Sequence, residues 1–247
     1  MHPTGAWTVA APDGESFVYV SGDADVMARK VIWTNLRHWE ETTVPVFYEL
    51  ARTARRFVDI GAFSGVYTLL ACRANSSLEA VAVEPNPVAA DMLVRNIDAN
   101  DLHGRVTISR TALSDAPGRT RLSVPGDTTA ASLRPSPREV TSVDVEVTTA
   151  DLLLGDEPVD LVKIDVEGLE PQVLLGMENT IRTHYPTLIA ECLTAAALEE
   201  LWETAAELGY RHIHHLSSNG PVLVTPGVVP QDAYANFLIS RHPVLPR

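Results

Sequence analysis

The sequence predicts an α/β fold: a mostly parallel sheet with helices on both faces and an antiparallel ending. Three observations predict it. Short apolar runs alternate with segments of helical spacing, the pattern of parallel strands joined by crossover helices. The first of these runs stops on a glycine and opens directly into a helix, the arrangement at the carboxyl edge of an open sheet where ligands bind. The last two strand candidates have no helix between them, so they can pair antiparallel at one side.

In chain order, residues 1–56 hold a hairpin, "WTVAAPDGESFVYV", and then helical segments, the last starting near Thr43–Pro45. They are expected to form an N-terminal cap on a core running from residue 57 to 247. "FVDIGA" (Phe57–Ala62) reads as a buried strand and "SGVYTLLACRA" as the helix after it. "LEAVAVE" (Leu78–Glu84) is a second strand. "PNPVAADMLVRNIDAND" is a helix opened by prolines, with Ala89, Met92, Leu93, Asn96 and Ile97 on one side. "RVTISRTAL" (Arg105–Leu113) is a third strand.

The stretch at about 119–148 breaks the alternation: "RTRLSV" and "VDVEVTT" flank "PGDTTAASLRPSPRE". Val143, Val145 and Val147 alternate with Asp144 and Glu146, so one face is wet, and the stretch reads as an inserted β flap. "VDLVKID" (Val159–Asp165) is the fourth strand, followed by the helical "EPQVLLGMENTIR". "TLIAEC" (Thr187–Cys192) is the fifth. "TAAALEELWETAAELGY" is an amphipathic helix capped by Thr194 and ended by Gly209. "YRHIHHL" (Tyr210–Leu216) and "ANFLISR" (Ala235–Arg241) are the late pair, with "GPVLVT" between them able to add a short strand.

Composition narrows the function classes. The chain of 247 residues is 45% hydrophobic, enough for a normal core. It has no run of ~18 apolar residues, so no membrane span is expected. The start, "MHPTGAWTVAAPDGES", lacks the basic-then-apolar pattern of a secretory signal. The two cysteines, Cys72 and Cys192, fit neither a disulfide framework nor zinc spacing and read as reduced thiols. A cytoplasmic protein is expected. Net charge is −13, which repels nucleic acid, and the cluster Arg52, Arg55 and Arg56 falls where a helix should end.

The loop "VDIGAFSGVYT" carries the first functional signal. Gly61 and Gly65 let the backbone turn sharply and approach a ligand. The acidic Asp59 before them disfavours a phosphate and favours a cationic or hydroxyl-bearing ligand. Glu84 ends the second strand, about 20 residues on, where a carboxylate can accept from both hydroxyls of a ribose. A ligand with an amino group, a ribose and no phosphate fits both, and S-adenosylmethionine is the candidate cofactor. A bland reading, with Asp59 capping a turn and Glu84 a solvated strand end, suffices for either residue alone but less well for the pair.

With "FVDIGAFSGVYTLLA", "VAVEPNP", "RNIDANDL", "TALSDAPG", "VDLVKIDVEGLEPQVLLGM" and "PTLIAE" in order, the chain resembles the FkbM-type methyltransferases over roughly Thr42 to Glu191, with a weaker "NFLIS" near the end. The resemblance implies a class I (Rossmann-like) methyltransferase fold, seven-stranded, with an antiparallel last strand. It implies that Asp59, Gly61 and Gly65 face the methionine part of the cofactor, with Ala62 and Phe63 also in the cofactor-binding loop and Phe63 packing on the ligand or the cap. Tyr67 and Thr68 would lie near its carboxylate. Glu84 would hold the ribose in a turn shaped by Pro85 and Asn86, and Ala112, Leu113 and Ser114 would border the adenine. Trp39 and Glu40 would roof the pocket and, with Glu191, face the acceptor. The chain departs from the family's G-A-N-x-G loop at Phe63, where a polar side chain is missing.

"KIDVEGLE" supplies the candidate catalytic carboxylates. Side chains alternate along a strand, so Lys163 and Asp165 share one side. A buried lysine needs a carboxylate, and Asp59 on the neighbouring strand is the expected partner. Asp165, at the strand end, is expected to act on the acceptor as general base. Glu167 stays open between that role and a turn, and Glu170 reads as a helix-starting carboxylate. A magnesium ion is the rival arrangement. Its only candidate ligands are Asp165 and Glu191, since Cys192 suits it poorly. "HIHH" (His212–His215) reads as an ordinary face of an edge strand.

The expected function is methylation, on oxygen, of a small natural-product or sugar intermediate. Methylation of nitrogen, carbon or a carboxyl group, as on a peptide, is the alternative. A non-catalytic nucleotide-binding protein is opposed by Asp165, and an NAD enzyme by the Asp59 loop.

Overall fold

The computed structural model describes residues 3–23, 25–125, 139–192, 194–224 and 235–243. Strands β1 (Gly5–Ala10) and β2 (Ser16–Ser21) form an antiparallel hairpin, followed by a π-helical turn at Arg29–Trp33 and helix α1 (Thr43–Ala51). Then come β3 (Arg56–Ile60), α2 (Val66–Ala74), β4 (Glu79–Val83), α3 (Pro87–Ala99), β5 (Val106–Ser109) and the two-residue β6 (Ala112–Leu113). Strands β7 (Gly118–Pro125) and β8 (Glu139–Thr148) precede α4 (Ala150–Leu154), β9 (Leu161–Ile164), α5 (Glu170–Leu175) and α6 (Glu178–His184). The chain closes with β10 (Thr187–Cys192), α7 (Ala195–Glu207), β11 (His212–Ser217), β12 (Gly220–Leu223) and β13 (Ala235–Ser240).

The main sheet has the order β12-β11-β13-β10-β9-β3-β4-β5. From β5 to β10 the pairing is parallel, and β13 runs antiparallel to β10. The short β12 is an eighth strand at the margin, built from the residues read as a possible addition. It covers β11, so the "HIHH" strand is paired on both sides and is not the edge the sequence suggested.

Two further boundaries differ from the sequence reading. "RVTISRTAL" breaks after Ser109: Ala112 and Leu113 leave the main sheet and pair with Val147 and Thr148 of β8 in a separate three-stranded sheet, β6-β8-β7. The helix read over "EPQVLLGMENTIR" divides into α5 and α6 at Gly176. There a Cβ would stand 2.0 Å from the Ser114 carbonyl oxygen, so only glycine allows the approach. The flap strands β7 and β8 are antiparallel, and residues 126–138 between them lie outside the described residues.

Alternation along the strands divides the core into two layers. Val58 and Ile60 of β3, with Val162 and Ile164 of β9, pack against α5, α6 and α7 through Val173, Leu174, Ile181 and Leu201. The opposite face carries Phe57 and Leu161 under α1, α2 and the hairpin, through Phe47, Leu70 and Tyr19. Asp59 and Lys163 point to this second face, directly opposite one another in register. They are polar insertions in an apolar layer, at the carboxyl end of the sheet.

Candidate active site

The loop after β3 is held almost entirely by its own neighbourhood. Gly61 N–H and Ala62 N–H both donate to the Val83 carbonyl at 3.0 Å, and Gly65 N–H donates to Ala62 O at 2.7 Å. Gly61 has φ +81°, and a Cβ there would meet the Asp165 carbonyl oxygen at 1.8 Å. The two strand-end loops therefore touch only because residue 61 has no side chain. Phe63 also sits at positive φ, +49°, a conformation that asparagine tolerates and phenylalanine resists. That gives a backbone reason for the family's asparagine at this position, beyond its polarity.

Glu84 closes the loop from the end of β4. Its Oε2 accepts from Phe63 N–H and its Oε1 from Asn86 N–H, both at 2.8 Å. Burial pushes its pKa up to about 7, against the two backbone donors that favour the anion. Each oxygen keeps acceptor capacity toward the cavity. Asp59 is buried and accepts from Thr68 Oγ1 at 2.6 Å. Burial raises its pKa to about 6, with Thr68 and the Lys163 ammonium opposing.

Beside Asp59, on the adjacent strand, lies a second polar group. Lys163 is 1% exposed, and its Nζ is 3.2 Å from Asp165 Oδ2. The expected partner, Asp59, is its register neighbour but is already satisfied by Thr68, so Asp165 takes the lysine. Burial works against the ammonium, but Asp165, Glu40 and Glu191 outweigh it and hold the lysine protonated. The Tyr67 ring lies beside it, 5.3 Å from Nζ.

Glu40, at φ +43°, accepts from Tyr67 Oη and from Asn236 Nδ2, the latter at 2.9 Å. Burial raises its pKa, and Lys163 opposes. Trp39 packs on Tyr67 with ring centroids 5.2 Å apart. Glu191 stands opposite Asn236 across β10 and β13. Burial and the Asp165 carboxylate raise its pKa, with the Lys163 ammonium opposing. Oxygens of Asp165, Glu167 and Glu191 lie within 4.8 Å of one another, close enough to share an ion. Glu170 instead turns back on its own loop, accepting from Gly168 N–H at 3.0 Å and Val166 N–H at 3.3 Å.

These groups line one cavity of about 620 Å³. Asp59, Gly61, Ala62, Phe63, Tyr67, Glu84 and Pro85 reach it from the ends of β3 and β4. Ala112 and Leu113 form a wall, and Trp39, Glu40, Asp165, Glu167 and Glu191 occupy the far end.

Four candidate residues stand outside the lining. Gly65 lies beneath it, where a Cβ would meet Leu93 at 2.5 Å. Thr68 is turned to Asp59, so it supports a carboxylate and does not face the cavity. Asn86 caps α3, its Oδ1 accepting from Val88 N–H at 3.1 Å. Ser114 donates its N–H to Thr148 O at 3.0 Å and packs its carbonyl on Gly176. Sequence reasoning missed Ser64, Lys30, His215 and Asn236, which also line the cavity. Asn236 lies within the quoted "NFLIS", but only the strand register sets it beside Glu191.

A parallel sheet extended by a reversed strand, with carboxylates at the ends of β3, β4, β9 and β10 around one cavity, defines a class I methyltransferase fold. Residues 59–212 match the methyltransferase FkbM domain, and the chain belongs to that family. The chain is 30% identical over 155 residues to methyltransferase sdnD of Sordaria araneosa, an alignment covering 49% of this chain and 60% of that protein. The crystal structure of a methyltransferase FkbM from Methylobacillus flagellatus KT superposes with a TM-score of 0.54 at 18% identity, covering 89% of this chain and 55% of that one. A SAM-dependent O-methyltransferase from Thermotoga maritima gives a TM-score of 0.50 at 16% identity, covering 97% and 79%. The chain thus spans less than two thirds of sdnD and of the Methylobacillus protein, and the two structural likenesses are likenesses of fold.

Proposed function

We propose that this protein is an S-adenosylmethionine-dependent methyltransferase that methylates a hydroxyl of a small natural-product or sugar intermediate. The observation that carries the reading is Glu84. It is a buried carboxylate with one backbone donor on each oxygen and its remaining lone pairs open to the cavity. That pair of acceptors fits the paired hydroxyls of a ribose and rejects a phosphate. Ala112 and Leu113 would flank the adenine, and Asp59 with the turn at Gly61 would face the methionine end. The cofactor supplies an electrophilic methyl group on a sulfonium.

The protein's own contribution is geometry and a proton acceptor. Holding the acceptor oxygen in line can supply ~7–11 kcal/mol of the barrier. Asp165 takes the hydroxyl proton, and Lys163 fixes its carboxylate without swinging away, because the lysine is enclosed. Glu191, its pKa raised by burial and by Asp165, stands beside that carboxylate and the acceptor. Glu167 stands at the same edge as an alternative base. Residues 1–56 act as a cap over the core from 57 to 247, with Trp39 and Glu40 roofing the acceptor end. The acceptor is a small molecule rather than nucleic acid, and the setting is cytoplasmic. No helix among the described residues is long and apolar enough to cross a membrane.

A second reading is favoured by the grouping of Asp165, Glu167 and Glu191: a magnesium ion held there would lower the acceptor pKa. The Lys163 ammonium, 3.2 Å from Asp165, already balances part of that charge, so the metal-free reading is preferred.

The test is transfer of labelled methyl from S-adenosylmethionine to a panel of hydroxyl-, amine- and carboxyl-bearing acceptors, with and without chelator. Label on hydroxyls, unaffected by chelator, supports the reading. Label confined to amines or carboxyls replaces the acceptor class, and loss with chelator restored by magnesium selects the metal.

A further inference from the structure

The N-terminal hairpin reaches the cofactor loop through a buried polar relay. Tyr19 is 0% exposed, on the inner face of β2. Its hydroxyl is 2.7 Å from Asp25 Oδ2 and 2.7 Å from Ser64 Oγ. A phenol has one proton to give. Burial and the Asp25 carboxylate raise the Tyr19 pKa well above its ordinary value, so the proton stays and points to Asp25. Ser64 must then donate to Tyr19, and the relay has a fixed direction: Ser64 to Tyr19 to Asp25. Asp25 is itself fully buried, and its Oδ1 accepts from Met27 N–H at 3.1 Å.

Ser64 lies between the two strained points of the loop, Phe63 at φ +49° and Gly65 at +86°. Its carbonyl accepts from Asn96 Nδ2 at 2.9 Å, while Asn96 Oδ1 accepts from Val20 N–H at 2.6 Å. One helical turn on, Asn100 reads the same strand edge. Its Oδ1 accepts from Val18 N–H at 2.8 Å, and its Nδ2 donates to Val18 O at 2.7 Å. Asn96 of α3 and Asn100 at its C-cap, four residues apart, therefore do for β2 what a neighbouring strand would do. Ser64 is joined to that seam through both its hydroxyl and its carbonyl.

We propose that Tyr19 is a positioning residue for cofactor binding. The hairpin clamps the loop Gly61–Gly65 in its binding conformation through Ser64, so hairpin order and cofactor affinity are energetically coupled. This rests on the reading of the cavity as an S-adenosylmethionine site. Reciprocity follows: whatever the hairpin does for the cofactor, the cofactor does for the hairpin. Segments of the same N-terminal region also line the cavity, at Met27, Lys30 and Trp39, which gives bound ligand a direct hold on the clamp.

The test uses the full chain and S-adenosylhomocysteine. Tyr19→Phe removes one hydroxyl and keeps the ring. Its dissociation constant should rise about tenfold, Ser64→Ala should do the same, and the double variant should be no worse than either alone. Affinities are compared at a urea concentration where each variant is fully folded. A purely structural role would lower the urea midpoint and leave the dissociation constant unchanged, which would overturn the proposal, as would additive effects in the double variant. If Tyr19→Phe does not fold, hydrogen exchange of the wild type decides. Saturating ligand should slow the Val18 and Val20 amides several-fold more than those of α7, on the other face of the sheet. Equal slowing refutes the coupling. Absence of any wild-type binding removes the cofactor reading itself and the inference with it.

Discussion

The two ends of the cavity are built on different plans. At the cofactor end, each carboxylate is satisfied close at hand: Glu84 by the amides of Phe63 and Asn86, Asp59 by Thr68 one helix turn into α2. At the acceptor end, groups from distant parts of the chain converge: Glu40 accepts from Asn236 of β13, Glu191 of β10 stands in register with Asn236, and Lys163 of β9 holds Asp165. The first plan makes a rigid receptor from strand ends and a tight turn. The second makes a charged cluster in which burial raises the pKa of Glu40 and Glu191 while the Lys163 ammonium opposes. Under the proposed function, a cofactor site that must recognise one molecule suits the first plan, and an acceptor site that must manage a proton suits the second.

The largest effect should come from the catalytic end. Asp165→Asn is expected to lower turnover by about 10²–10⁴-fold, with S-adenosylhomocysteine affinity within about threefold of wild type. Steady-state rates and calorimetry on the same preparation separate the two. Full turnover in that variant would move the base to Glu167 or Glu40.

A pH series probes the cofactor end. Glu84 must be ionised to accept from two hydroxyls, and burial holds its pKa at about 7. Ligand affinity should therefore rise as pH increases through 7. Stability of the free protein should move the other way. The folded carboxyl binds its proton more tightly than the unfolded one, so this group's contribution declines from its ordinary pKa of 4.5 up to about 7. Thermal melts with and without ligand across pH 5–8 should converge at low pH and diverge at high pH. Parallel curves would remove Glu84 from the binding site.

The smallest effect belongs to the strained loop. Phe63→Asn or Phe63→Gly should relieve the positive φ and raise stability by about 1 kcal/mol. That is a melting-temperature gain of roughly 2–4 °C for a chain of this size. A loss instead would mean that the Phe63 ring contributes more by packing than its backbone costs.

Legibility in the sequence followed the same division. The succession of strands and crossover helices along the chain, and an antiparallel late pair, could be read from periodicity and from the missing helix before "ANFLISR"; the place of β13 between β10 and β11 could not. Glu84 could be placed because a strand end and a glycine turn leave little freedom in where its carboxylate goes. Lys163 was assigned the wrong partner, although Asp165 lies two residues on and on the same side of the strand. What the sequence hides is that Thr68 had already claimed Asp59. Asn236 was invisible as a site residue because its place depends on β13 pairing in register with β10. Ser114 was misplaced because the close approach of Gly176 draws its loop away from the cavity.

The central claim is most directly tested by titrating S-adenosylhomocysteine into the wild type and Glu84→Ala by calorimetry. One site per chain is expected, with affinity lost about 100-fold or more in the variant, the scale of removing hydrogen bonds to a buried charge. No heat with the wild type, or equal affinity in the two proteins, would contradict the account.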